Sequence, residues 1–170
     1  MGQDAESVSS RPRTYVGLWL RASLRGESET YRRLSRSLNG GRNGWNDDEP
    51  AVVEAACELA VQQFFGSERD DQMIADFVSG MRARIARSKL PPGQAEVEAV
   101  VKSALGGTNV DVAHIKRSEL LNIRTAVLVN ISDDLSLDGQ AVDVLIVSAE
   151  EIAGSRGWSP PLCDPGPGAS

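Results

Sequence analysis

Histidine is almost missing. His114 is the one histidine in 170 residues, which excludes any site that needs two, including most zinc ligand sets and the HExxH proteases. Cysteine is nearly as scarce: Cys57 and Cys163 form no CxxC and are too few for a disulfide framework, so they fit a reducing compartment. Aromatic residues make up only 5% of the chain, so a core must rely on Val, Leu, Ile and Ala. Apolar runs are short, four residues at 126–129 and 144–147, against the ~20 needed to cross a bilayer. The first residues, Met1-Gly2-Gln3-Asp4-Ala5-Glu6, are acidic where a secretory leader is basic. Glu6 also stands where N-myristoylation requires Ser or Thr. These absences predict a cytoplasmic chain without membrane association.

What is present describes a folded protein. The chain is 41% hydrophobic and 25% charged, outside the range that predicts disorder. Its length suffices for one domain that buries a core without disulfides or metals. The net charge of −6 is unevenly spread. Between residues 11 and 46 lie eight arginines and two acids, a local charge of +6. Residues 1–10 hold −2, which leaves −10 for everything after residue 46. Two readings follow: the basic segment packs on an acidic body, or it contacts an anionic partner.

The patterning is helical. Leu20, Leu24, Tyr31, Leu34 and Leu38 fall on one stripe of a segment from 15 to 38 that breaks at Gly26. A glycine- and asparagine-rich loop follows at 39–44, and Asp47-Asp48-Glu49-Pro50 starts the next helix, which stops at Gly66. Ser67 with Asp70 forms an approximate capping box for a helix to about Ser88, with Met73, Ile74, Phe77, Val78, Met81 and Ile85 at i, i+3, i+4 spacing. Pro91-Pro92 turns the chain, and a shorter helix carries Val97, Val100, Val101, Ala104 and Leu105 until Gly106-Gly107 closes it. The last third is ambiguous. Residues 126–131 and 141–148 are rich in β-branched side chains and flank Asp138-Gly139, as a hairpin would. Yet Leu120, Ile123, Val127 and Ile131, then Val142, Leu145, Ile146, Ala149 and Ile152, keep helical spacing over more than ten residues. Sustained period predicts helices at 117–132 and 138–154.

The expectation is therefore a mostly α protein, a single compact bundle of five or six helices over 14–156. Flexible tails flank it at 1–13 and 157–170, the second because its prolines and glycines cannot hold helix or ladder bonds. The alternative is an α+β fold with a C-terminal hairpin at 125–148.

No catalytic constellation emerges. Cys57 sits on the buried stripe of its helix with no base nearby in sequence, and Cys163 lies in the proline-rich tail. His114 would need partners from elsewhere in the fold. The acid pairs at 70/71, 133/134 and 150/151 diverge by about 100° on a helix and do not converge on one proton. Asp134, Ser136, Asp138 and Gly139 match the first half of an EF-hand loop, but Val142 and Leu145 stand where its later ligands belong, so a capped turn explains them. The loop at 40–44 is neither a P-loop nor GxGxxG.

Residues 20–25 followed by 30–39 resemble the first two helices of a repressor-type helix-turn-helix, over about 20 residues. The third helix, which should enter the major groove, begins with Asp47-Asp48-Glu49, a charge that repels phosphate. The reading that follows is a non-catalytic cytoplasmic interaction protein, an adaptor or regulatory module acting through a protein partner or self-association, with no cofactor or metal. The alternative is a nucleic-acid-associated regulator using segment 11–45. Its contacts to an anionic partner would be Arg21, Arg25, Arg32, Arg33, Arg36 and Arg42, with Tyr31 or Trp45 for stacking.

Overall fold

A computed structural model describes residues 11–40, 45–67, 69–107 and 110–163. The expected loop at 41–44, including Arg42, and most of both expected tails lie outside these residues. The described residues form seven helices: α1 (Tyr15–Leu24), α2 (Ser28–Gly40), α3 (Glu49–Phe65), α4 (Asp71–Ala86), α5 (Gln94–Ala104), α6 (Arg117–Asp134) and α7 (Gly139–Ser155). The chain is mostly helical, as the patterning predicts, with more helices than the five or six expected. The break at Gly26 makes two separate helices of the segment 15–38. Gly26 takes a φ of 66°, and the Glu27 N–H donates back to the Ala22 carbonyl at 2.9 Å, the wrap that ends a helix at a left-handed residue.

The hairpin alternative is overturned. Residues 117–134 and 139–155 are both helical, and of the β-branched residues between 126 and 148, Val127, Ile131, Val142 and Ile146 are buried while Val144 is exposed. Asp138 caps α7 by accepting the Ala141 N–H at 2.8 Å, so the turn ahead of it joins two helices. Long-period burial outweighs local β propensity here, because each helix buries a whole stripe: Ile123, Val127 and Ile131 in α6, and Val142, Ile146 and Ala149 in α7.

The helices group into two compact units, one of residues 1–52 with 138–170 and the other of residues 53–137. In the first unit α1 packs on both α2 and α7. Its core includes Val16, Trp19, Leu20, Leu34, Leu38, Leu145 and Ile146. Glu150 of α7 fastens the start of α1. Its carboxylate accepts the Arg13 N–H at 3.0 and 3.1 Å, the Thr14 N–H at 2.8 Å and the Thr14 hydroxyl at 2.7 Å. Thr14 in turn caps α1 by accepting the Gly17 N–H at 2.9 Å. Position 17 must be glycine for this arrangement, since a Cβ there would overlap Glu150 Oε1.

Residues 161–163 differ from the expectation that the C-terminal prolines hold no ladder bonds. Thr14 and Leu162 form an antiparallel bridge, with Tyr15 N–H donating to Pro161 O at 3.1 Å and Cys163 N–H to Arg13 O at 2.8 Å. Prolines at 160 and 161 lack donors but leave their carbonyls free to accept, which is all the bridge asks of Pro161.

In the second unit α4 packs on α5, and α5 on α6. Phe64, Phe65 and Phe77 form a mutual ring cluster with centroids 5.0 to 5.6 Å apart. Asp70 caps α4 by accepting the Met73 N–H at 2.7 Å, so the cap falls on Asp70 itself and Ser67 supplies none. Arg84 and Asp134 tie α4 to the end of α6 through a bidentate pair at 2.7 and 3.1 Å.

Candidate functional site: the basic face of helix α2

The structure divides the arginines expected to meet an anionic partner. Arg21 leaves α1 toward α7 and donates Nε to Asp143 at 2.5 Å, with side chains only 21% and 13% exposed. Arg25 pairs with Glu27 at 3.3 Å. Its guanidinium also lies over the start of α7, 3.1 Å from where a Cβ on Gly139 would sit. Both are engaged in ion pairs inside the first unit. Arg42 lies outside the described residues.

Arg32, Arg33 and Arg36 are different. All three are exposed on α2, and no ion pair holds them among the described residues. Their one bond among the described residues is Arg36 Nε to the Arg32 carbonyl, at 3.4 Å. Arg32, Arg36 and Asn39 stand at i, i+4 and i+7, a single stripe of the helix opposite buried Leu34 and Leu38. Arg33 borders that stripe. The local sequence gives the reason: apolar residues at 31, 34 and 38 turn inward, which forces positions 32, 33 and 36 outward.

An aromatic cluster pins this helix. Trp19 of α1 stacks on Tyr31 of α2 at 5.5 Å and meets Trp45 edge-on at 5.1 Å. Trp19 Nε1 donates to Ser35 Oγ at 2.9 Å. Trp45 Nε1 donates to Asn39 Oδ1 at 2.7 Å, and its N–H donates to Leu38 O at 2.7 Å. Tyr31 and Trp45, expected as stacking platforms for bases, are therefore spent on Trp19 and on the end of α2. Trp19 itself is the anchor that sequence reasoning missed. It interrupts an otherwise aliphatic stripe, and that was the available signal.

The resemblance to a helix-turn-helix ends at α3. Val52, Val53, Ala55, Ala56, Cys57, Ala60, Val61 and Phe65 are all buried, so α3 is covered on most of its circumference and has no free face for a groove. Its acidic start is also built into the fold. Asn46 and Glu49 form a reciprocal capping box, Asn46 Oδ1 accepting the Glu49 N–H at 3.0 Å and Glu49 Oε2 accepting the Asn46 N–H at 2.9 Å. Asp48 accepts the Ser159 N–H at 3.1 Å. Glu49 is 1% exposed. Burial raises its pKa, and the bond from Asn46 partly offsets that rise.

The remaining candidates each have a separate local setting. His114 is exposed in the turn before α6. Cys57 is buried in α3, and burial pushes its thiol up to about 12, outweighing the nearby Arg124 that lowers it. Cys163 lies beside Arg13 at the terminal bridge. Asp134 and Asp138, read as half of a calcium loop, are taken by Arg84 and by the α7 cap. Among the described residues no group of three or more His, Cys, Asp or Glu side chains could hold a metal ion, and no helix is long and apolar enough to cross a membrane. No protein-family model, no curated protein and no solved structure matches the chain.

Proposed function

We propose that the protein is a non-catalytic interaction protein whose α2 presents Arg32, Arg33 and Arg36 to an acidic segment of a protein partner. One observation carries the reading: Arg21 and Arg25 of the same basic segment pair with carboxylates, whereas these three guanidiniums are exposed and have no ion pair among the described residues. Arginine forks recognise carboxylates in pairs, and the i, i+4 spacing of Arg32 and Arg36 sets them about 5–6 Å apart at Cβ, matching carboxylates one helical turn apart on a partner.

Nucleic acid is the weaker reading. The aromatic rings beside the arginines are packed on one another, and the net charge of −6 disfavours a duplex. A fluorescent glutamate-rich peptide and a labelled DNA duplex, each titrated with the full chain, test this. The peptide should bind in a salt-sensitive manner at about 0.15 M ionic strength. Reversal of Arg32, Arg33 and Arg36 to Glu should abolish that binding while the helical circular dichroism stays unchanged. Tight duplex binding lost in the same variant would reassign the face to nucleic acid, and binding of both probes unaffected by the reversal would remove its role altogether.

A further inference from the structure

The second unit holds a groove of about 300 Å3 between the start of α4 and the end of α5. It lies among residues that the basic face of α2 does not involve. Its apolar lining comes from Ile74, Leu105 and Val110, the first two buried. Its charged lining is balanced: Arg69 and Lys102 supply two cations, Asp70 and Asp71 two carboxylates.

Among the described residues, each charged group is held at the groove by a single bond that leaves further donors or acceptors on it. Arg69 Nη2 donates to the Leu105 carbonyl at 3.0 Å. Asp70 Oδ1 takes the Met73 N–H. Lys102 Nζ reaches Asp71 Oδ1 at 3.3 Å, a pair whose carboxylate is 88% exposed and therefore easily exchanged. Gly107 keeps one wall open, since a Cβ there would sit 2.9 Å from Val110 Cγ2 and press that side chain.

A ligand with net charge of either sign gains two of these groups and meets two of its own sign. A ligand carrying both charges meets partners for each. The volume corresponds to about ten water-sized positions at ~30 Å3 each, the lower end of small-molecule sites, which suits one small molecule and excludes a folded segment. We propose that this groove binds a free α-amino acid with an apolar side chain of leucine size. Its carboxylate takes Arg69 and Lys102, its ammonium takes Asp71 and Asp70, and its side chain covers Ile74, Leu105 and Val110. The Lys102–Asp71 pair is thereby exchanged for pairs of both residues with the ligand, so neither charge is left without a partner.

Methyl NMR of the full chain titrated with free leucine tests the assignment. Saturable shifts should appear at the methyls of Ile74, Leu105 and Val110. N-acetyl-leucine, which lacks the ammonium, and leucinamide, which lacks the carboxylate, should each bind about tenfold or more weakly, the loss of one charge-assisted bond. Lys102→Met should weaken leucine to a similar degree. Because the two blocked ligands are compared on the unaltered protein, the test survives a variant that fails to fold. The proposal is overturned if leucine gives no saturable shift at these methyls, or if either blocked ligand binds as well as leucine. The variant with Arg32, Arg33 and Arg36 reversed should bind leucine like the parent, since the groove is separate from α2.

Discussion

Replacing Gly17 by alanine should destabilise the protein, although the same change inside a helix ordinarily adds up to about 1 kcal/mol of stability. The reason is Glu150. A Cβ at position 17 overlaps its Oε1 and approaches Thr14 Oγ1 to 2.8 Å, so the carboxylate must withdraw. It then loses the Thr14 N–H and hydroxyl, at 2.8 and 2.7 Å, while the exposed bonds from Arg13 pass to water. Two part-buried bonds to a charged acceptor are together worth about 3–6 kcal/mol if lost outright, and relaxation of a surface-proximal carboxylate recovers about half of that. Subtracting a helix-propensity gain of about 1 kcal/mol leaves a net loss of about 0.5–2 kcal/mol.

The assay is urea unfolding followed by far-ultraviolet circular dichroism, with tryptophan emission as a second probe because Trp19 sits on α1. At about 2–4 °C per kcal/mol for a chain of this size, the melting temperature should fall by about 1–8 °C. A double-mutant cycle isolates the cause. Once Glu150 is alanine, the further change Gly17→Ala should be close to neutral, because Thr14 Oγ1 still crowds the new Cβ and offsets the propensity gain, giving a coupling of about 0.5–2 kcal/mol between the two positions. A coupling near zero, with Gly17→Ala equally tolerated in both backgrounds, would refute the argument.

Other consequences are open to simple measurements. Glu49 has a raised pKa in the fold, so its contribution is complete at acid pH and is lost as pH rises through the folded value. Glu49→Gln, which keeps an acceptor for the Asn46 N–H, should therefore stabilise the protein near pH 7, with the gain shrinking as pH falls toward 4 in paired urea titrations. A gain that grows toward acid pH would contradict the sign. With the Cys57 thiol at about 12, an aromatic disulfide reagent should titrate Cys163 in the native protein and reach Cys57 only after denaturation. Trp19→Ala should cost about 3–5 kcal/mol, the range for a buried aromatic, because Tyr31 and Trp45 both rest on that ring. Asp138→Ala should cost about 0.5–2 kcal/mol through loss of the α7 cap, and a null effect on the urea midpoint would remove Asp138 from the stability of that turn.

Helix positions were legible wherever period and punctuation agreed. In α5, Val97, Val100, Val101 and Ala104 repeat at helical spacing and are all buried. Period alone misjudged individual faces. Met73 opens the predicted stripe of α4 yet is 44% exposed, while Ile74 beside it in the same first turn is buried. In α3 burial extends beyond the stripe that holds Cys57. Ala55 and Val61 are buried as well, and small residues around the circumference are the mark of a helix enclosed on more than one side. The spacing does distinguish Asn46 from Asp47 or Asp48 as the cap of α3. All three are competent N-caps, and only Asn46 stands three residues before the Glu49 that completes the box.

Which arginines are structural and which are available is a long-range property. The +6 of segment 11–46 is plain from composition, but Arg21 finds its partner 122 residues away on α7, and nothing in the spacing of Asp143 marks it as that partner. What sequence does fix is the radial position of each residue on its helix. On α1, Arg21 follows Leu20 and precedes buried Ala22 at the edge of the face toward α7, so its stem lies along apolar surface and its head reaches a carboxylate. On α2, Arg32 and Arg36 are diametrically opposite Leu34 and Leu38, where no second element of the first unit covers them. The same residue type in one basic run thus acquires opposite roles from an angular difference on two short helices. An uncovered position becomes evident only once the packing partners of each helix are known.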